Sequence, residues 1–84
     1  MRKAGRNPAL EACNAGLQII KQHALFAPIY SHVYDRIDTE HRYVSSRGWL
    51  AISNRGYLWL NAKRHATPEQ WARMIAQALV ALGF

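Results

Sequence analysis

Apolar positions follow a helical period at both ends of this 84-residue chain and an alternating period between them. The clearest run is residues 67–84, which predicts an amphipathic C-terminal helix. Thr67 and Gln70 have the spacing of a capping box, and Pro68 occupies the first helical position. We expect this helix to be the centre on which the chain packs, through an apolar stripe made of Trp71, Met74, Ile75, Ala78, Leu79 and Leu82.

A first helix is predicted near the N-terminus by a second cap-then-proline signal. Asn7 and Pro8 start it, and three- and four-residue apolar spacing carries it to about Leu25. Gly16 lowers its helix propensity by about 1 kcal/mol relative to Ala, so we expect it to permit the close approach of a neighbour. Residues 1–6 have three basic side chains and no apolar anchor, which predicts a mobile basic arm.

A second, short helix is predicted from Pro28 to about Asp35, because a proline disfavours helical geometry in the residue before it. Residues 35–42 contain three of the five acids and are expected to form a charged connector. Tyr43 and Val44 are candidates for a short strand.

Between residues 48 and 61 the pattern alternates, as GWLAIS and YLWLN. Asn54, Arg55 and Gly56 lie between these runs and predict a β-hairpin loop. One face is aliphatic and is expected to lie on the helices; it bears Leu50, Ile52, Leu58 and Leu60. The other face is aromatic and bears Trp49, Tyr57 and Trp59. The predicted fold class is therefore α+β: two N-terminal helices, an antiparallel hairpin and a C-terminal helix in one domain over residues 7–84.

Composition limits the classes of function. Half of the residues are apolar or aromatic, as in globular proteins. The single Cys13 excludes an internal disulfide, and no run of about 18 apolar residues predicts a membrane span. We therefore expect a cytoplasmic protein without a membrane partner. The net charge of +6, from 11 Lys and Arg against five acids, favours association with an acidic partner.

Candidate catalytic chemistry is sparse. The histidines do not pair at the spacing that places two metal ligands on one helix face, and neither SSRGW nor SNRGY is a phosphate-binding loop. Ser45 and Ser46 have no evident base partner. We expect no cofactor and no metal site.

The hairpin and its flanks suggest two kinds of binding surface. Its large aromatic side chains, with Trp71 of the C-terminal helix, would suit a protein partner or a second copy of the chain. Basic residues around the same aromatics would suit nucleic acid, since such platforms stack bases and hold phosphates. The candidate nucleic-acid contacts are Arg47, Arg55, Lys63 and Arg64.

The order of these elements resembles a known family. A helix, a short helix after a proline, the hairpin GWLAISNRGYLWLN and the Thr-Pro-Glu start of an apolar helix are similar to the N-terminal domain of zincin-like metallopeptidases. The second domain of those proteins is von Willebrand factor A-like. The resemblance implies a His-Glu-x-x-His zinc motif on the last helix. Because the family's fold continues beyond that helix, it also implies a truncated module or a subunit completed by another chain.

This chain departs from the family at the motif itself. The two zinc-ligand positions fall on Gln77 and Ala81, and the general-base position falls on Ala78. Zinc hydrolysis needs two imidazoles one turn apart and a carboxylate, and alanine supplies neither. We therefore expect no enzyme but a non-catalytic protein-interaction module on a pseudo-metallopeptidase-like scaffold. The alternative is a small basic nucleic-acid-binding protein.

Overall fold

A computed structural model describes residues 7–39, 44–53 and 55–83. Within them the architecture is α+β, as predicted, with three α-helices and a three-stranded mixed sheet. None of the helices in this part is long and apolar enough to cross a membrane. The predicted basic arm at residues 1–6 lies outside the described residues. The elements in chain order are α1 (Pro8–Gln22), α2 (Ala27–Val33), a 3-10 turn (Tyr34–Arg36), β1 (Ile37–Asp38), β2 (Leu50–Ile52), β3 (Leu58–Leu60) and α3 (Pro68–Ala81).

Both predicted helix starts are confirmed by their caps. The Asn7 side chain accepts hydrogen bonds from the backbone N–H groups of Ala9 and Leu10, at 3.0 and 3.2 Å. At α3, Thr67 Oγ1 accepts from the Gln70 backbone N–H at 3.1 Å, and Gln70 Oε1 accepts from the Thr67 backbone N–H at 2.9 Å. Each cap satisfies amides that the first turn leaves without helical partners.

The first helix ends earlier than the apolar spacing predicts. It stops at Gln22, because His23 is extended (ψ 133°) and its Nδ1 accepts a hydrogen bond from the Leu25 backbone N–H at 3.1 Å. Residues 24–26 then form a turn, and α2 begins at Ala27 with Pro28 in its first turn. The local side-chain bond thus ends the helix although the apolar spacing continues.

The predicted hairpin is confirmed, and β3 is the central strand of the sheet. β2 and β3 are antiparallel, with Leu50 opposite Leu60 and Ile52 opposite Leu58. The third strand is not where it was predicted: Val44 lies in a bend, and Tyr43 falls outside the described residues. Instead, β1 runs parallel to β3, inside the predicted charged connector.

The core confirms that α3 packs on the aliphatic side of the hairpin, except at Ile52, which was predicted to lie on the helices but is 40% exposed at the end of β2 that leads into the hairpin loop. The indole of Trp71 and the side chains of Ile75 and Leu79 form one buried cluster with Leu58 and Leu60. All five side chains are at most 1% exposed. At about 25 cal/mol per Å² of buried apolar surface, such side chains stabilise the fold by roughly 1.5–3 kcal/mol each.

The two long helices lie in close contact at Gly16, where the sequence led us to expect the close approach of a neighbour. A Cβ atom on Gly16 would lie 2.6 Å from Trp71 Cβ and 2.9 Å from the Pro68 carbonyl oxygen. Gly16 therefore allows α1 to lie directly on the first turn of α3, and this contact fixes where Trp71 enters the core.

Candidate binding surfaces

One cluster of aromatic and basic side chains is built around Trp49. Its ring meets Trp71 edge to face, with centroids 5.8 Å apart. The Arg64 guanidinium carbon lies 4.1 Å from the centroid of the Trp49 ring, a cation–π distance. Arg64 Nη1 also donates a hydrogen bond of 2.6 Å to the Arg47 carbonyl. Trp49 is therefore half-buried between the core and a fixed guanidinium.

The loops that carry these residues are joined by Asn61, a buried polar residue (4% exposed). Its Nδ2 donates to the carbonyls of Gly48 and Ser45, at 3.0 and 3.5 Å. Its Oδ1 accepts from the Lys63 backbone N–H, and its own N–H donates to the Trp49 carbonyl at 2.8 Å. Sequence reasoning did not single out this role, although a lone polar residue directly after the apolar run LWL was a signal for it.

A shallow groove of about 270 Å³ lies beside Trp49. It is lined by Trp49, Ala66, Gln70, Arg73 and Met74. The lining thus comes from α3 and from one residue before it, Ala66, in addition to Trp49. Arg73 was not among the predicted basic contacts, because its helical position gave no sign that it would lie beside the Trp49 groove.

The predicted aromatic face of the hairpin is divided in the structure. Tyr57 and Trp59 stack on each other, with centroids 6.3 Å apart and ring planes 24° apart, whereas Trp49 pairs with Trp71. Tyr57 is 42% exposed. The predicted basic residues are divided in the same way. Arg55 is in the hairpin loop, at the opposite end of β3 from Arg47, Lys63 and Arg64.

The prediction that Trp71 meets a partner is not compatible with the structure. Trp71 has no exposed surface and belongs to the core. The three positions aligned with the zinc motif fall on two sides of α3: Ala78 is buried, whereas Gln77 and Ala81 are exposed. Among the described residues, no group of three or more His, Cys, Asp or Glu could hold a metal ion.

A second surface, here called the α3 outer strip, consists of Ala76, Gln77, Val80 and Ala81. Val80 is 63% exposed. Phe26 joins Ala76, Gln77 and Val80 around an open depression of about 320 Å³. Leu25, which precedes Phe26 in the 24–26 turn, is 74% exposed. The α3 outer strip, Leu25 and Phe26 are apolar apart from the side-chain amide of Gln77.

Comparison with known proteins gives no relative: no family model, curated protein or solved structure matches the chain. The resemblance to zincin-like metallopeptidases therefore stays a prediction from the sequence.

Proposed function

We propose that this protein is a non-catalytic interaction module that assembles with a second copy of itself through the α3 outer strip. The observation that carries the proposal is the exposure of Val80 (63%) and Leu25 (74%) beside the depression lined by Phe26. Apolar side chains in contact with water are stabilised when a partner covers them. The residues at the aligned motif positions, an amide and two methyl groups, support a non-catalytic role.

The absence of charged side chains on this strip allows a second copy of the chain to be its occupant. The chain carries a net charge of +6, so two copies repel each other over most of their surface. From Met74 to Gly83 the sequence has no charged residue. The four residues of the strip therefore bring no charge into a contact between two copies, and Arg73 lies one turn before them. The small side chains of Ala76 and Ala81 also leave room for the helices to approach.

The expected association is weak, because the strip is one helix face with a short turn. Contacts smaller than the standard protein interface usually have dissociation constants of about 1 µM or more. Sedimentation velocity over roughly 0.5–300 µM protein, a range that covers dissociation constants from about 1 µM upward, should show a monomer–dimer equilibrium.

The test variant is Val80→Lys, which places a charge in the strip, and its control is Ile19→Lys. Ile19 is an exposed apolar residue (36%) on α1, outside the strip. Val80→Lys should weaken dimerisation at least about tenfold, since an unpaired charge would be buried. Ile19→Lys should leave it unchanged. A wild-type protein that stays monomeric, or a dimer equally stable in both variants, contradicts the proposal.

A cytoplasmic location accompanies this proposal. The buried, free thiol of Cys13 suits a reducing compartment, where structural disulfides are not needed.

A further inference from the structure

We propose that the end of the hairpin around Trp49 binds single-stranded nucleic acid. Phosphates are held by Arg47, Lys63, Arg64 and Arg73, and one unpaired base enters the groove beside Trp49. This surface shares no residue with the α3 outer strip, and the proposal does not depend on self-association.

The charge distribution supports an anionic ligand here. Residues 44–84 contain five of the chain's basic residues and a single acid, Glu69. Four of those five basic residues lie in the two loops beside Trp49 or on the groove. A cluster of like charges without a matching number of acids attracts anions and raises their local concentration.

Arg64 is fixed in position before any ligand arrives. The Trp49 ring on one side and the Arg47 carbonyl on another hold its guanidinium, at 4.1 and 2.6 Å. A guanidinium held in this way loses little further conformational freedom when it binds a phosphate. The contact with Arg47 also keeps the two basic loops together.

Asn61 is a positioning residue in this surface, because it holds the two basic loops in place. Its bonds to Gly48 and to the Lys63 backbone N–H, at 3.0 and 3.2 Å, fix the loop that carries Arg47 relative to the turn that carries Lys63 and Arg64. The spacing between these cations is therefore set by a buried hydrogen-bond network, which is more rigid than exposed side chains alone.

The groove determines the form of nucleic acid. Its volume of about 270 Å³ is below the range of roughly 300–1,000 Å³ that is typical for drug-sized ligands, so it suits one planar ring system. Trp49 and Met74 offer apolar contact, and Gln70 and Arg73 offer polar contact. A base in a duplex is stacked and paired and cannot enter, whereas an unpaired base can.

The basic side chains suit the phosphates of a nucleic acid, and the groove beside Trp49, which accepts a base, favours nucleic acid over an acidic protein. Three of the four proposed contacts are arginines, whose planar guanidinium matches two phosphate oxygens at once. A carboxylate accepts the same pair of guanidinium hydrogen bonds. The experiment therefore compares the binding of an acidic polypeptide with that of nucleic acid.

The experiment measures fluorescence anisotropy of a labelled 12-nucleotide oligothymidylate titrated with the full chain. Four phosphate contacts on a single strand predict a slope of about −2.8 in log K against log salt, or a loss of affinity of roughly 50-fold between about 50 and 200 mM salt. Lys63→Gln and Arg64→Gln should each reduce affinity at least about fivefold at low salt and make the slope shallower by about 0.7.

Matched controls are Lys21→Gln and Arg36→Gln, which remove the same charge outside the cluster. They should change affinity by less than about twofold, since only long-range attraction is lost. Circular dichroism establishes that each variant folds. Because the Lys63 side chain is exposed, Lys63→Gln tests the surface even if Arg64→Gln disturbs the packing of Trp49. Equal losses in test and control variants overturn the assignment.

Four further ligands separate the alternatives. A duplex of the same length and an abasic 12-mer should bind more weakly than the oligothymidylate, since neither places a base in the groove. Polyglutamate and phosphatidylserine vesicles should bind more weakly still. Equal binding of the abasic strand overturns base insertion, and equal or tighter binding of the duplex, polyglutamate or vesicles overturns single-stranded nucleic acid as the ligand. Val80→Lys should retain oligonucleotide binding, so this result is independent of the test for self-association.

Discussion

Replacing Gly16 with alanine tests the close contact of α1 with the first turn of α3. The new methyl group would lie 2.6 Å from Trp71 Cβ, 2.9 Å from the Pro68 carbonyl oxygen and 3.1 Å from the Ala72 backbone nitrogen. Carbon atoms in ordinary contact are about 3.5–4.0 Å apart. Two of the three atoms belong to the backbone of α3, so relief requires the helices to move apart by roughly 1 Å.

Two opposing effects determine the size of the change. Overpacking of a close-packed interior destabilises by typically about 1–3 kcal/mol. Alanine in place of glycine in a helix stabilises by about 1 kcal/mol. Because the clash involves backbone and the buried Trp71, we expect overpacking to cost the upper part of its range. After the gain in helix propensity, the free energy of unfolding should fall by about 1–2 kcal/mol. For a domain of this size, that corresponds to a fall in Tm of roughly 4–16 °C.

The assay is thermal and urea unfolding followed by far-UV circular dichroism and tryptophan fluorescence. The control is Asn14→Ala, at an exposed position of the same helix, where alanine raises helix propensity. That variant should be as stable as the wild type or more stable. If Gly16→Ala is also as stable as the wild type, α1 and α3 do not approach as closely as described.

Three further predictions concern the caps, the loop network and the thiol. Thr67→Ala should lower stability by about 0.5–2 kcal/mol in urea unfolding, because it removes the capping bond of α3, whereas Thr67→Ser should retain it. Asn61→Ala should lower stability by about 1–3 kcal/mol, since the Gly48 carbonyl loses the amide that donates to it, and it should shift the tryptophan emission. Lys63→Ala should do neither. Burial raises the pKa of the Cys13 thiol from 9.0 to about 12, so the native state keeps a proton that the unfolded chain loses. The stabilisation is complete below about pH 9 and is lost as pH rises toward 12, so unfolding at about pH 8 and 10.5 should show a decline that Cys13→Ala lacks.

The candidate surfaces were only partly predictable from the residues. The sequence shows that aromatic and basic side chains lie close together along the hairpin and its flanks. The alternating pattern predicted that Trp49 and Tyr57 share one face of the hairpin, because it assumes that the strand is regular through residue 49. In the structure Trp49 precedes β2 in a bend, and its ring contacts Trp71. The loop network of Asn61 decides this, and such a network involves residues that are 13 to 16 positions apart.

The sequence by itself determined the features that depend on neighbouring residues. The capping signals at Asn7 and Thr67, the apolar stripe of α3 and the hairpin around Gly56 all arise within a few positions, where backbone sterics and local hydrogen bonds act. Gly56 has a φ of 85°, as its place in the loop requires.

Only the tertiary structure decided what those elements meet. β1 is two residues long, too short for any period, and it exists because β3 offers Ile37 and Asp38 a partner. Trp71 lies in the core and not on a binding surface because Gly16 lets α1 cover it. Arg55 and Arg64 are separated because β3 lies between them. Pairing and burial depend on residues far apart in the chain, and a local pattern contains no information about which distant surface will cover it.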